Sequence, residues 1–218
     1  METQMRFIGD MHCQNEKYLT KLDGVPYSLQ VGDLSIFGFD FLTESGVEVE
    51  RHKFIGGNHD NYNVIKESPH NLGDYGVWSV PEFGDIFYIR GAWSIDKKAR
   101  TPGLDWWPEE ELTNEECEKA LELYKEVKPK FVVSHECPLD IVQFVTNPMM
   151  THNWGFSQSV IHTNTNRILQ RMREYHAPKM HIFGHYHRKL DIVANECRYV
   201  CLPEFGVLDL PKNFIESL

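Results

Sequence analysis

Short apolar runs in this chain keep stopping at glycine, aspartate, asparagine or histidine instead of at neutral turn residues. Arg6-Phe7-Ile8 ends at Gly9-Asp10, Tyr27–Val31 at Gly32-Asp33, and Lys53-Phe54-Ile55 at Gly56-Gly57-Asn58-His59-Asp60. Residues 15–22 and 37–46, between these runs, have the apolar spacing and length of helices. Strand, helix, strand, helix, strand predicts a mostly parallel sheet, because parallel neighbours need a crossover between them. Gly76–Val80 and Ile86–Ile89 are joined by a glycine-bearing turn and predict an antiparallel hairpin. Thr113 with Glu116 three residues on predicts a capped helix over 113–127. Strands are expected at 130–133 and 179–183, a helix near 157–174, and a closing strand pair at 190–193 and 198–201. The fold class is α/β with an antiparallel portion, in which two sheets pack face to face between helices.

The residues just beyond the strands form five motifs: GDMH (Gly9–His12), GDL (Gly32–Leu34), GGNHD (Gly56–Asp60), SHECP (Ser134–Pro138) and GHYH (Gly184–His187). Ligand sites of open α/β sheets form beyond the carboxyl ends of strands, so all five motifs are expected to meet in one crevice. Carboxylate, imidazole and carboxamide donors without thiolate suit divalent manganese, iron, zinc or nickel, with manganese favoured, over a cysteine-rich structural zinc. Seven such ligands exceed one tetrahedral site and match two metals roughly 3.5–4 Å apart, a recurring device for phosphoester hydrolysis. His52, His70, His152, His162, His176 and His181 lie outside the motifs and are assigned to core or surface.

The net charge of −10 argues against a broad grip on a nucleic-acid backbone. It leaves a small phosphorylated substrate open, since a metal ion can supply the positive charge. No apolar run approaches the ~20 residues of a membrane-spanning helix. The start Met1-Glu2-Thr3-Gln4 lacks a basic n-region and a following apolar h-region. The five cysteines form no CxxC pair, which suits a reducing compartment, so a cytoplasmic protein without membrane association is expected.

Together the five motifs resemble the signature blocks of the calcineurin-like metallophosphoesterase superfamily, over residues 9–187. The resemblance implies a four-layer α/β/β/α sandwich of two mixed sheets flanked by helices, with residues 1–218 as a single domain and a dinuclear metal centre. Carried over residue by residue, Asp10, His12, Asp33 and His187 would hold the first metal, and Asp33, Asn58, His135 and His185 the second, with Asp33 bridging. A hydroxide between the metals would attack, His59 would donate to the phosphate or leaving oxygen, and Asp60 would orient His59.

The second block lacks the arginine of the GDxVDRG block that protein Ser/Thr phosphatases of this superfamily carry, and the third ends in Asp60 where those enzymes have glutamate. A phosphomonoester dianion favours a bidentate arginine clamp more than a diester does, so a phosphodiester or nucleotide-type substrate is expected ahead of a phosphoprotein. A non-catalytic binding module of the same fold is a further alternative, disfavoured because every ligand position is filled.

Residues 91–112 are too rich in aromatics and charges for a plain strand and predict a loop that acts as a lid or insert. Its SIDKKARTPGLDWWPEE stretch is similar to stretches of small phage and bacterial metallophosphoesterases. Trp106 and Trp107 are the expected stacking residues for a base. Arg188 and Arg100 are the leading candidates for phosphate contacts, ahead of Arg90, Lys97 and Lys98.

Overall fold

A computed structural model of the chain describes residues 2–35, 40–146 and 163–218. The strands are β1 (Thr3–Ile8), β2 (Tyr27–Gln30), β3 (His52–Phe54), β4 (Tyr75–Val80), β5 (Gly84–Ile89), β6 (Phe131–Ser134), β7 (Met180–Phe183), β8 (Leu190–Ala194), β9 (Cys197–Cys201) and β10 (Val207–Pro211). The helices are α1 (Asn15–Leu22), α2 (Phe41–Glu44), α3 (Tyr62–Ile65), α4 (Asn114–Val127), α5 (Val142–Val145) and α6 (Asn164–Tyr175).

Two sheets form, in the orders β10-β1-β2-β3 and β4-β5-β6-β7-β9-β8. β1, β2 and β3 are parallel, as are β5, β6, β7 and β9, while β10, β4 and β8 run antiparallel to their neighbours. Alternation along each strand sorts the layers. Met5, Phe7, Leu29, Val31, Phe131, Val133, Met180 and Ile182 meet in one apolar layer between the sheets. Ile8 and Phe54 point the other way, onto Tyr18 of α1 and Phe41 and Leu42 of α2. Phe87, Ile89 and Val132 of the larger sheet pack outward on Leu121 and Tyr124 of α4 and Ile168 and Met172 of α6. The result is the expected four-layer sandwich of two mixed sheets between helices.

The sequence signal for α4 holds in detail. Thr113 Oγ1 accepts from Glu116 N while Glu116 Oε2 accepts from Thr113 N over 2.8 Å, a reciprocal cap on α4. Helix α2 is shorter than the 37–46 expected, and residues 37–39 lie outside the described residues, as do 157–162 of the helix expected near 157–174, together with His152 and His162. Three elements were not foreseen: α3 after the third motif, α5 after the fourth, and β10. β10 is drawn to the edge of β1 by register pairing and by Arg6, whose Nε and Nη2 both reach the Asp209 carboxylate at 2.7 Å. Among the described residues, no helix is long and apolar enough to cross a membrane.

Candidate metal centre

The five motifs follow β1, β2, β3, β6 and β7, and their side chains converge at the carboxyl ends of those strands. Donor atoms of Asp10, His12, Asp33 and His187 all lie within 4.8 Å of one another, and so do those of Asp33, His135 and His185. Asp33 belongs to both groups. Asn58 joins the second, with Oδ1 at 3.2 Å from His135 Nε2 and 2.9 Å from His185 Nδ1. All seven residues expected to ligate metal are thus brought together.

The backbone bends sharply to present them. His12 (φ 42°), Asp33 (φ 57°), His185 (φ 67°) and His187 (φ 53°) all adopt left-handed backbone, which costs non-glycine residues of order 1–3 kcal/mol each and clusters at functional sites. Gly32, at φ 107°, also lies so close under the His135 ring that a Cβ would overlap the imidazole. At Gly184 a Cβ would overlap Asp10 Oδ1.

The donor set fits a cation. His135 Nδ1 lies 2.8 Å from the Val31 carbonyl, which can only accept, so Nδ1 carries a proton and Nε2 faces Asp33 Oδ2 (3.3 Å) and Asn58 Oδ1. Lone pairs of the Asp33 carboxylate, the Asn58 carboxamide and His135 Nε2 therefore point at one another in a buried space, an arrangement that a positive charge relieves. In the metal-free chain a proton does this. Burial alone would push His135 down, but the Asp33 charge and hydrogen bond outweigh it and raise His135 to about 10. Burial likewise pushes Asp33 up, yet His135, with His59 and His12 behind it, holds that carboxyl well below the usual range. On the more open side, His12 Nε2 lies 2.9 Å from His187 Nε2, which is 3.0 Å from Asp10 Oδ2. Nitrogen and oxygen donors without sulfur match borderline-hard divalent ions.

Asp60 requires a correction. It is fully buried, and its carboxylate accepts from the backbone N–H groups of Asp33 (3.0 Å), Gly57 (2.7 Å) and Ser35 (2.6 Å), not from the His59 ring. It ties the second motif to the third and so positions Asp33 through the backbone. Burial, followed by the charge of Asp33, raises Asp60 to about 7.

The His59 ring is met instead by Arg100, whose Nη1 and Nη2 lie 3.0 and 2.9 Å from its two nitrogens. A neutral imidazole has one acceptor nitrogen, so only one of these contacts is a hydrogen bond at a time. Arg100 is in turn held by Asp96, with Nε 2.8 Å from Oδ1. Burial lowers the His59 pKa, Asp33 opposes this, and Arg100 adds to it.

A cleft of about 390 Å³ opens beside the cluster, lined by Asn58, His59, His185 and His187 and, beyond them, by Trp93, Asp96, Arg100 and Arg188. Arg100 and Arg188 are therefore where the sequence suggested, but the tryptophan pair is not. Trp107 is 2% exposed and packs with Phe54, Tyr62 and Ile65 beneath the smaller sheet. Trp106 is half-buried, with Lys97 Nζ 5.9 Å from its ring, and does not line the cleft. Trp93 does, with Lys97 Nζ 5.1 Å from its ring. Adjacent tryptophans drew attention by composition, whereas Trp93 is marked only by lying two residues beyond the glycine that ends the β5 run. Arg90 is committed elsewhere, buried against Tyr62 and paired with Asp74 at 2.5 Å.

A family model described as calcineurin-like phosphoesterase matches residues 5–189. No curated protein sequence matches the chain. Among solved structures, a putative 5'-nucleotidase from Staphylococcus aureus, in complex with alpha-ketoglutarate, aligns with TM-score 0.52 at 13% identity over 93% of this chain and 49% of its own, so the chain spans about half that protein's length. The phosphopantetheinyl hydrolase of Mycobacterium tuberculosis aligns with TM-score 0.48 at 13% identity, over 93% of this chain and 90% of its own. The anchor protein of the Plasmodium inner membrane complex gives 0.45 at 12%, over 98% and 76%. The first of these likenesses speaks to the fold, and the sequence match over residues 5–189 to the family: the chain belongs to the calcineurin-like phosphoesterase family.

Proposed function

We propose that this chain hydrolyses small phosphorylated molecules, of phosphodiester or nucleotide type, with two divalent ions, manganese favoured and iron, zinc or nickel able to substitute. Asp10, His12, Asp33 and His187 would hold one ion, and Asp33, Asn58, His135 and His185 the other. The observation that carries this reading is the membership of Asp33 in both donor groups. When bound, such ions neutralise phosphoryl oxygens and acidify the attacking water.

The remaining work falls to the protein. Asp33 Oδ1 accepts from His59 N at 2.7 Å, which fixes the histidine at the mouth of the cleft beside the shared ligand. From there His59 can deliver a proton to the departing oxygen, a contribution of typically 10²–10⁴-fold for a positioned acid. Arg100 and Arg188 flank the position of a phosphoryl group, and Trp93 offers a flat face for its substituent. On this reading residues 1–218 form one catalytic domain and residues 91–112 an insert that overhangs the cleft through Trp93 and Arg100. A reducing, cytoplasmic setting suits the five free cysteines.

A second reading, hydrolysis of phosphomonoesters, gains support from Arg100. The second motif lacks an arginine, but Arg100 brings a guanidinium to His59 from a different part of the chain, so a dianion has the clamp that the motif alone denies it.

The test is a manganese-loaded assay on bis(p-nitrophenyl) phosphate and p-nitrophenyl phosphate, side by side. Turnover that a chelator abolishes and added manganese restores is expected, and the faster substrate separates the two readings. Two bound ions with no turnover on any phosphoester would turn the proposal into a binding module.

A further inference from the structure

An asparagine can turn either of two faces toward a metal: its carboxamide oxygen, which ligates, or, after a half-turn about the last side-chain bond, its amide nitrogen, which is a donor. The two forms have the same shape, so a hydrogen bond must select between them. Asn58 Nδ2 donates to Ser94 Oγ over 3.0 Å while Oδ1 faces His135 and His185. A serine hydroxyl alone does not select, because it can accept from the amide nitrogen or donate to the amide oxygen.

One step further out lies Glu110. Ser94 N donates to Glu110 Oε2 over 3.2 Å, and the Ser94 hydroxyl lies beside the same carboxylate. Burial raises the Glu110 pKa and its Ser94 contacts oppose that rise; ionised, the carboxylate only accepts, so the hydroxyl proton turns to it and the hydroxyl lone pairs are left for Asn58. Asn58, Ser94 and Glu110 are 3%, 1% and 2% exposed, so solvent does not compete. The backbone holds the pair in register. Ala92 N donates to Glu110 O over 3.1 Å, and Gly91 N to Gly56 O over 2.9 Å, two residues before Asn58. Gly91, at φ 92°, packs so tightly on Glu110 O that a side chain there would collide with it.

We infer that Ser94 and Glu110 are positioning residues that lock the Asn58 carboxamide with its oxygen toward the ion shared with Asp33, His135 and His185. The base of the 91–112 loop thereby serves the metal site, while its tip, through Arg100, serves the phosphate side of the cleft. This inference rests on the two-ion reading above.

Its test is calorimetric titration of Mn²⁺ into metal-free wild type, Ser94→Ala, Ser94→Thr and Glu110→Gln, with bound ions counted after desalting. His135→Ala supplies the reference for losing the ion in question. Wild type is expected to bind two ions. Ser94→Ala and Glu110→Gln should weaken that one ion by about 10–100-fold, the usual cost of removing an outer partner of a ligand. The other ion should be unchanged, and Ser94→Thr, which keeps the hydroxyl, should restore both. Unchanged affinities in Ser94→Ala and Glu110→Gln overturn the inference, even if the metal-free variants melt earlier, and so does equal weakening of both ions. A wild type that binds fewer than two ions overturns the proposed function instead.

Discussion

The two donor groups share Asp33 but are built differently. On the inner side, His135 is wholly buried, and its ring is fixed by the Val31 carbonyl, as Asn58 is by Ser94. On the outer side the His187 side chain is 43% exposed, and the close contacts of His12 and His187 are with each other and with Asp10, donors of the same group. The inner histidine ring is held by the core, whereas on the outer side only Asp10 is buried, accepting from His185 N, and the two histidine rings depend chiefly on that carboxylate and on each other. An ion on the inner side should therefore be bound more tightly and exchange more slowly, because its ligands lose little freedom on binding.

The largest expected effect erases the comparison. Asp33→Asn removes the shared carboxylate, so both ions should weaken and kcat/KM should fall by more than the about 10²–10⁴-fold assigned to an acid–base group. Full activity in Asp33→Asn would refute the site. Next, His59→Ala should lower kcat by about that 10²–10⁴-fold on an alkyl phosphoester while both ions stay bound. With a p-nitrophenyl ester the loss should be smaller, because that leaving group needs no proton. Equal losses on both substrates would remove His59 from the proton-donating role.

His135→Ala and His187→Ala sharpen the contrast. Each should cost one ion, but metal counting under dilution should show His187→Ala keeping the tight ion and His135→Ala keeping the weak one. The reverse assignment would show that burial does not set affinity here.

The smallest effect concerns pH and the metal-free chain. His181 lies behind the inner group, 2.6 Å from Ser134 Oγ, and burial pushes it down to about 3 from an ordinary 6.5. As pH falls below about 6.5 the unfolded chain takes up a proton that the folded chain refuses, so stability drops by about 1.4 kcal/mol per pH unit toward about pH 3. On the outer side the sign is opposite. His187 is raised, chiefly by its hydrogen bond to Asp10, so its contribution is complete below the unfolded value and fades as pH rises through the folded one. Urea melts of His181→Gln should show a flatter acid slope than wild type, and an unchanged slope would remove His181 as its source.

The strand ends were legible because glycine with Asp, Asn or His after an apolar run is a local signal, repeated at four of the five strand ends, with Ser134-His135 at the other. What escaped the sequence is held by contacts far apart in the chain. β10 is a five-residue run ending in proline, and only its pairing with β1 across the whole sequence makes it a strand. The Asp60 role was misread because proximity to His59 in sequence suggested the ring, whereas the carboxylate turns inward to three backbone groups. The tryptophan pair misled for a related reason. Trp106 and Trp107 fall on different sides of the backbone, and the core takes Trp107. Arg100 reaches His59 across 41 residues, a contact with no periodicity to announce it.

On the proposed function, five strand ends build two adjoining ion sites around one carboxylate. Crystals grown with Mn²⁺ make those sites visible by anomalous diffraction. Two peaks are expected, one among Asp10, His12, Asp33 and His187 and one among Asp33, Asn58, His135 and His185. A single peak at full metal loading, or a peak that Asp33 does not touch, would contradict that proposal.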